Sequence, residues 1–275
     1  MVKLKIFALA AAALLSMAAK AVDEDFDTLV AAERRFAADA AALGISPAFR
    51  AHAARDALLI SPAPRPAAPE LARQVDAPGT KLEWQPEMAA VAGSGDLGFT
   101  TGPYVMRQGD RVSHGQYFTI WRRGADGTWR WLIDSGIAPF AKGEVPMPGQ
   151  VVRIGGPGKA GAEAGPGAVE QRLDANATAL AGFLAVDGLV LRPGGAAAIG
   201  DAGVALAGRG TRTIGKRLGG GQSAAGDLAY SYGEISGTDG LLIGHYVRVW
   251  RHAPNGWRVL VDQLAPLPRK APPAS

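Results

Sequence analysis

The sequence predicts an α+β protein built from two tandem domains, and three observations carry this prediction. Residues 22–60 are rich in Ala, Glu and Arg, with apolar residues at helical spacing. From Glu83 to Asp134 the pattern changes to short runs rich in Val, Ile, Thr and aromatic residues. Turn signals such as QGD and GADG separate these runs, which indicates an antiparallel meander. The same order of helical and strand patterns returns after residue 167.

The N-terminal helices of the first domain follow from periodicity and turn residues. The positions that recur at helical spacing are Leu29, Ala32, Glu33, Phe36, Ala40 and Leu43. Gly44 ends this helix, and Ser46-Pro47 supplies the N-cap and first position of a short second helix over about 47–54. Asp56 then opens an apolar run, which ends at the segment SPAPRP.

Two eight-residue segments nearly repeat each other, GDLGFTTG at 95–102 and GDLAYSYG at 226–233. Further pairs match in order along the chain: Asp56 and Asp187, Tyr117 and Tyr246, Trp121 and Trp250, Trp129 and Trp257, Asp134 and Asp262. The separation between partners drifts only from 131 to 128 residues, as changes in loop length would produce. The sequence therefore predicts a tandem duplication of one α+β unit.

The N-terminus has the layout of a secretory signal peptide. Lys3 and Lys5 precede an apolar run from Ile6 to Ala19, and Ala19-Lys20-Ala21 offers a cleavage point. We therefore expect a periplasmic or secreted protein without a stable membrane anchor after cleavage. The predicted segments are a signal peptide (1–21), a first domain (22–140), a Gly/Pro/Ala linker (141–167), a second, degenerate domain (168–266) and a Pro-rich tail (267–275).

The composition excludes several classes of function. The chain has no cysteine, which excludes disulfides, thiolate metal sites and cysteine nucleophiles. Loss of residues 1–21 would remove three of the 29 basic residues and no acidic one, leaving 26 basic against 25 acidic residues. No basic stripe is present, so we expect no nucleic-acid partner. The four histidines lack metal-ligand spacing, and the glycine strings GGPG and RLGGGQ lack the phosphate-loop pattern. We predict no metal and no cofactor, and interpret both glycine strings as flexible loops.

The motifs of the first domain resemble those of the nuclear-transport-factor-2-like superfamily. The segments are DALLISP, LEWQPEMAAVAGSGDLGFTTGPY and GQYFTIWRRGADGTWRWLID, in this order. They look closest to the uncharacterised SnoaL-like, ketosteroid-isomerase-like bacterial branch. The resemblance covers about residues 25–138 and, more weakly, 168–264. It implies helices packed in a curved antiparallel sheet, forming a cone with a pocket. Members include isomerases, dehydratases, cyclases and non-catalytic subunits, so the fold alone does not define a function.

The resemblance also bears on the isomerase reaction. Isomerase members carry an Asp general base a few residues after the D-A-x-x motif, just before a Pro. The matching positions here are Ser61 and Arg192. An unassisted Ser hydroxyl is a poor base near neutral pH, and Arg does not deprotonate. We therefore expect no reaction of the isomerase type.

The candidate site residues follow from the implied cone. Asp134 and Asp262 end the last strand of each domain, where an apolar cone would raise the pKa of a carboxyl group; the alternative is a solvated strand end. The candidate pocket residues are Trp84, Tyr104, Tyr117, Trp121, Asp134, Tyr246, Trp250 and Asp262, and the aromatic ones have core packing as their alternative. Alternation puts Tyr117, Thr119 and Trp121 on one face of their strand.

Three functions are compatible with this pattern. The first is binding of a small apolar or amphipathic molecule in the pocket. The second is a lyase or hydrolase that uses Asp134 as acid or base. The third is a non-catalytic scaffold, whose pocket would be filled by side chains such as Trp84 and Trp121. Because both sheet faces carry apolar residues, we also expect an internal pseudo-dimer or a homodimer through the sheet faces.

Overall fold

The structure is a computed structural model of the 275-residue chain. It describes residues 2–138, 149–156, 158–162, 164–175, 180–195, 197–208 and 213–268, with side chains from residue 21 onward. Residues 141–148 of the predicted linker and residues 269–275 of the predicted tail lie outside the described residues.

The helices cluster at the start of each half. They are α1 (Val2–Leu43), α2 (Ile45–His52), α3 (Ala67–Arg73), α4 (Gly167–Ala175), α5 (Leu180–Phe183) and α6 (Asp201–Ala207). The first helix runs without a break through the predicted cleavage point, and the signal peptide stays a prediction. Over the described residues, no helix combines the length and apolar character needed to cross a membrane.

The strands form two sheets. The first contains β1 (Ala53–Ile60), β2 (Pro64–Pro66), β3 (Lys81–Trp84), β4 (Met88–Val91), β5 (Leu97–Gln108), β6 (Arg111–Arg123), β7 (Trp129–Ile137) and β8 (Val152–Arg153). The second contains β9 (Leu184–Leu191), β10 (Ala198–Ile199), β11 (Thr213–Gln222), β12 (Leu228–Gly237), β13 (Leu242–Ala253) and β14 (Gly256–Pro266). With helices and sheets in each half, the predicted α+β class is confirmed.

The two sheets share one connectivity. The first has the order β2-β1-β7-β6-β5-β4-β8, with β3 also pairing β5, and the second has β10-β9-β14-β13-β12-β11. In both, the strand that follows the helices pairs in parallel with the last strand of the meander. The sheets are therefore mixed, where the sequence predicted antiparallel pairing throughout. Local turn signals fix only the hairpins, whereas this contact joins segments separated by the whole meander.

The Gly-rich string RLGGGQ differs from its prediction as a flexible loop. It belongs to β11, which pairs along β12 from Thr213 to Gln222. The aromatic ring of Tyr232 lies across the strand at Gly219, where an added Cβ would come within 2.5 Å of the Tyr232 hydroxyl. Gly219 therefore leaves room for the Tyr232 ring within a strand and does not mark a turn.

The core has two layers. On the inner face of the first sheet, Leu29 and Phe36 of α1 pack in the same buried cluster as Trp84 and Trp121. Beyond the sheet, Phe99, Phe118 and Ile120 belong to a cluster that continues into Leu189, Val247 and Val249 of the second sheet. The outer faces of the two sheets thus pack against each other, as in a β-sandwich.

The contacts between the halves are reciprocal. Asp227 accepts a hydrogen bond from the backbone N–H of Gly93 at 2.7 Å, and Asp96 accepts one from the backbone N–H of Ala224 at 3.0 Å. Asp96 matches Asp227 in the repeat, and Gly93 matches Ala224. Each aspartate therefore accepts the equivalent backbone hydrogen bond from the other half. The side chains of Ser135 and Gln263, which also match, bond directly to each other at 2.6 Å. Such reciprocity is the geometry of a two-fold contact.

The described part of the predicted linker contacts both halves. Its strand β8 pairs in parallel with β4, and the side chain of Ile154 is buried in the core. Gly155 donates its backbone N–H to Asp187 at 2.8 Å, and Lys159 donates its backbone N–H to the carbonyl of His252 at 2.7 Å. These contacts tie residues 152–155 and Lys159 to the folded body.

Candidate functional site

The first half contains a cavity of about 330 Å³ between its short helices and the inner face of its sheet. The residues lining this first-half cavity are Ile45, Phe49, Leu59, Ser61, Arg65, Leu71, Gln74, Leu82, Trp84, Tyr104, Met106, Tyr117, Asp134, Ser135 and Gly136. Most are apolar or aromatic, whereas Ser61, Arg65 and Gln74 are exposed at the protein surface. A predominantly apolar wall with a few polar groups is typical of small-molecule sites.

Asp134 supplies the carboxyl group of this cavity. It lies in β7 between Thr119 of β6 and Leu59 of β1, and it accepts a hydrogen bond from the Thr119 hydroxyl at 2.9 Å. Burial raises the pKa of Asp134 to about 7; the Thr119 bond lowers it, and the charge of Glu33 raises it further. The side chain retains some exposure through the cavity, so water entering there lessens this shift.

Two tyrosines lie near this carboxyl group. The hydroxyl of Tyr117 is buried and has no hydrogen-bond partner among the described residues. Burial raises the pKa of Tyr117, and burial followed by the charge of Asp134 raises the pKa of Tyr104. Both phenols therefore stay protonated at neutral pH, and each can donate or accept a hydrogen bond.

A buried carboxyl group lies deeper in the first half. Glu33 of α1 accepts hydrogen bonds from the indole N–H groups of Trp84, at 2.5 Å, and Trp121, at 3.0 Å, and from the hydroxyl of Thr100. Burial raises the pKa of Glu33, while its three donors lower it. Sequence reasoning assigned Glu33 to the apolar face of the helix but not to any site. Its signal was the presence of an acidic residue on that face.

The same buried motif recurs in the second half. Glu170 of α4 accepts hydrogen bonds from Ser231 and Tyr246, and the indole N–H of Trp250 donates to Ser231 at 2.8 Å. Ser231 matches Thr100 and Trp250 matches Trp121 in the repeat. A carboxyl group, a hydroxyl group and an indole thus hold the first helix of each half to its sheet.

Where the first half has a cavity, the second half has a charge cluster formed by Asp174, Arg192, Arg248 and Asp262. Arg248 donates to Asp174 and to Asp262 at 2.8 Å each, and Arg192 donates to Asp262 at 2.5 Å. Burial would raise the pKa of Asp262, but the two guanidinium groups outweigh burial and lower it. Arg248 and Asp262 are each 3% exposed, so the cluster occupies the space next to the strand end.

The predicted pocket residues thus divide between the halves. Trp84, Tyr104, Tyr117 and Asp134 line the first-half cavity. Trp121 differs from its prediction because its indole is bonded to Glu33 and Thr100 behind the cavity wall.

The second-half residues Tyr246, Trp250 and Asp262 also differ from the prediction. They lie in packed polar networks rather than in a cavity wall, because arginine side chains fill the equivalent space. Arg248 and Arg192 stand where the first half has Thr119 and Ser61. Arg192, at the position of the isomerase base, thus binds Asp262.

A shallow groove lies on the other side of Trp84. It measures about 460 Å³ and is lined by parts of α1, β3 and β5, including Arg34, Glu83 and Arg107. These three charged side chains are exposed. Across the described residues, no group of three or more His, Asp or Glu side chains could hold a metal ion.

Comparison with solved structures finds nuclear-transport-factor-2-like proteins, the superfamily that the sequence motifs resemble. A protein of unknown function from Shewanella oneidensis MR-1 is 16% identical, covers 40% of this chain and 96% of its own, and has a TM-score of 0.34. Another from Pseudomonas putida KT2440 is 14% identical, with 47% and 94% coverage and a TM-score of 0.32. ActVI-ORFA from Streptomyces coelicolor is 13% identical, with 40% and 93% coverage and a TM-score of 0.31.

No protein-family model matches the sequence, and comparison with curated proteins gives no match. The likenesses to solved structures are too distant to transfer a residue role or an activity. A fold alone does not define a function.

Proposed function

We propose that the first half of the chain binds a small apolar or amphipathic molecule in the first-half cavity. One observation carries the proposal: the cavity is open and contains the carboxyl group of Asp134, whose one hydrogen-bond donor among the described residues is Thr119, whereas two arginine side chains bind the matching Asp262. A volume of about 330 Å³ is near the lower end of the usual range for ligand sites. The ligand is correspondingly small.

The polar groups define how such a ligand is oriented. Its apolar body would contact Phe49, Leu71 and Trp84, and its polar end would reach Asp134. The hydroxyl of Tyr117 has almost no accessible surface, so the ligand would meet the ring of this residue rather than its hydroxyl.

Proton transfer by Asp134 is the second candidate function. The observation that favours it is a carboxyl group of pKa about 7 in a site lined by apolar side chains, because a catalytic acid or base works best near the ambient pH. Ser61 stands at the position of the isomerase base. If the protein is an enzyme, we therefore expect a lyase or hydrolase reaction in which Asp134 transfers the proton.

The second half serves the first as a scaffold in this proposal. The reciprocal bonds of Asp96 and Asp227, and the direct bond between Ser135 and Gln263, support an internal pseudo-dimer of two related domains. Ser135 lines the first-half cavity, so the second sheet supports the cavity wall from behind. The proposed boundaries of the two domains remain 22–140 and 168–266.

We also propose that the protein acts outside the cytoplasm after loss of residues 1–21. The support is the charged, apolar and small-residue order of the N-terminus. Fractionation of the source cells followed by N-terminal sequencing tests this proposal. A chain that keeps Met1 and stays in the cytoplasmic fraction contradicts it.

Native mass spectrometry of the protein from its own host tests the binding proposal. We expect an additional mass of about a few hundred daltons, consistent with a ligand of the cavity's size, that is lost on denaturation. Two blocking variants provide controls: Thr119→Arg introduces the side chain found at position 248, and Gly136→Leu adds apolar bulk to the cavity wall. Both should lose the additional mass while keeping a cooperative melting transition. An additional mass retained by both folded variants places the ligand elsewhere and contradicts the proposal.

A further inference from the structure

The second half shows which chemical group its strand-end carboxylate takes as a partner. Asp262 is bound by two guanidinium groups, one from Arg248 at 2.8 Å and one from Arg192 at 2.5 Å. Asp134 occupies the matching position in the first half, with the same neighbouring strands. The side chains at the two arginine positions are there Thr119 and Ser61, which are shorter and uncharged.

An aromatic ring accompanies this cation in the second half. The guanidinium carbon of Arg248 lies 3.8 Å from the centroid of the Tyr246 ring, which is a cation–π contact. The residue that matches Tyr246 is Tyr117, and its ring lines the first-half cavity together with Trp84 and Tyr104. The first half therefore keeps the carboxyl group and the ring but not the cation.

The first-half cavity also has an excess of acidic groups, which favours a positively charged ligand. Asp134 and Glu33 are both acidic, and their hydrogen-bond donors among the described residues are hydroxyl and indole groups. Arg65 lines the cavity at its exposed side, where it pairs with Glu70 at 3.2 Å. A cation entering the cavity would therefore meet Asp134 and four aromatic residues, with the carboxyl group of Glu33 buried behind them.

We propose that the ligand of the first-half cavity carries a positively charged nitrogen, an amine or a guanidine on an apolar body, that binds Asp134 across the ring of Tyr117. This inference rests on the proposed function, because it assigns a substrate class to the same cavity. In the first-half cavity, the ligand's cation would occupy the position that the Arg248 side chain occupies in the second half. The apolar body fills the remaining space against Phe49 and Leu71.

The test compares three probes of equal shape and different charge. These are 2-phenylethylamine, 2-phenylethanol and phenylacetate, titrated by calorimetry into the full chain at pH 8. We expect the amine to bind about tenfold tighter than the alcohol, which corresponds to the low end of the coupling energies measured for close charge pairs. Phenylacetate should bind least, because Asp134 and Glu33 repel it.

Variants assign this preference to one side chain. Asp134→Asn keeps the shape of the cavity and should lose the preference for the amine while still binding the alcohol. Asp110→Asn makes the same change of charge in the exposed turn between β5 and β6 and should keep the preference. Melting curves of both variants show that the fold is retained.

The dependence on pH gives an independent readout. The titratable groups that face Asp134 are Glu33 from α1, Tyr104 from β5, Tyr117 from β6 and Arg65 at the surface. Burial raises the pKa of Asp134 to about 7, so the amine's affinity should increase between pH 6 and pH 8 as this carboxyl group loses its proton. Glu33, whose pKa burial also raises, acts in the same direction. The affinity of the alcohol should change little over the same range.

The outcomes separate the two proposals. If the alcohol or the carboxylate binds as tightly as the amine, the cavity is a binding site but the assignment of a cationic ligand is wrong. If none of the probes binds to the wild-type chain at millimolar concentration, both the open cavity and the cationic ligand are contradicted. If Asp134→Asn keeps the full preference for the amine, Asp134 is not the group that binds the cation.

Discussion

The two halves of the chain place an aspartate at the same point of the sheet and give it opposite surroundings. Asp134 has one hydroxyl donor and a cavity, and its pKa is raised to about 7. Asp262 has two guanidinium partners and is 3% exposed, and its pKa is lowered. Both halves thus have an aspartate at this strand position. The side chains contributed by the two neighbouring strands and the residues that follow them determine whether that aspartate faces a cavity or joins a cluster of ion pairs.

The difference depends on very few substitutions between the halves. Thr119 corresponds to Arg248 and Ser61 to Arg192, and Asp174 of α4 adds a second carboxylate partner for Arg248. The residue matching Trp84 is Gly215, where an added Cβ would lie 2.2 Å from a carboxylate oxygen of Asp174. Where the first half has Trp84 in its cavity wall, the second half therefore has Gly215 and the carboxylate of Asp174, which belongs to a buried group of ion pairs.

The largest expected effect comes from breaking the second-half charge cluster. Arg248→Met leaves Asp174 and Asp262 buried without their shared cation, which should lower the free energy of unfolding by about 3–5 kcal/mol at neutral pH. Urea unfolding measures this loss. The control is Arg130→Met, which breaks an exposed pair with Asp126 and should leave the midpoint close to that of the wild type. Equal midpoints for both variants would mean that the cluster is not structural.

Matched Asp→Asn variants should produce opposite dependences on pH. The pKa of Asp134 is higher in the folded state than its ordinary value of 3.8, so the unfolded chain loses this proton first. The stability of the wild type therefore falls as the pH increases from about 4 to about 7, by up to about 1.4 kcal/mol per pH unit from this group. Asp134→Asn removes this loss and should gain stability relative to the wild type across that window.

Asp262→Asn should behave in the opposite way. The folded pKa of Asp262 is below 3.8, so its stabilising effect is present above that pH and is lost as the pH falls through the folded pKa. The variant should be less stable than the wild type at pH 7, with a deficit that shrinks below pH 4. Thermal unfolding at a series of pH values measures both variants. Parallel curves for the two would contradict the difference between the halves.

The smallest expected effect comes from the matched tyrosines. The hydroxyl of Tyr246 donates to Glu170 at 3.1 Å, so Tyr246→Phe should cost about 1–2 kcal/mol. The hydroxyl of Tyr117 is buried, and its polar neighbour Thr100 already donates to Glu33 and accepts from Trp121, so Tyr117→Phe should cost less than Tyr246→Phe. Chemical unfolding of the two variants side by side measures the difference. An equal cost at both positions would mean that Tyr117 has a partner in solution.

Much of the fold could be predicted from local patterns in the sequence. The change from helical to alternating periodicity marked the helices and the meander. Alternation correctly placed Tyr117, Thr119 and Trp121 on one face, since the last two bond to Asp134 and Glu33 on the inner side. The parallel pairing of β1 with β7 and the strand β11 could not be predicted, because both depend on contacts with distant segments.

The site was harder to predict than the fold. Asp134 could be singled out because it ends a strand, but its raised pKa depends on the absence of a cation at positions 61 and 119. The role of Arg248 was hidden because an arginine in an alternating strand usually faces solvent. Glu33 and Glu170 were missed for a similar reason, since a glutamate in a helix is ordinarily exposed.

The turns that contain Asp96 and Asp227 contact each other reciprocally, and this contact affects how the two halves can diverge in sequence. In a homodimer assembled through such a contact, every substitution is made twice, so both copies keep a pocket or both lose it. Joining the copies in one chain removes this constraint. Asp96 and Asp227 can bond the two halves together while the second half has buried ion pairs and the first half keeps its cavity. In the proposed pseudo-dimer, the peptide link thus allows the two halves to differ in what surrounds the strand-end aspartate.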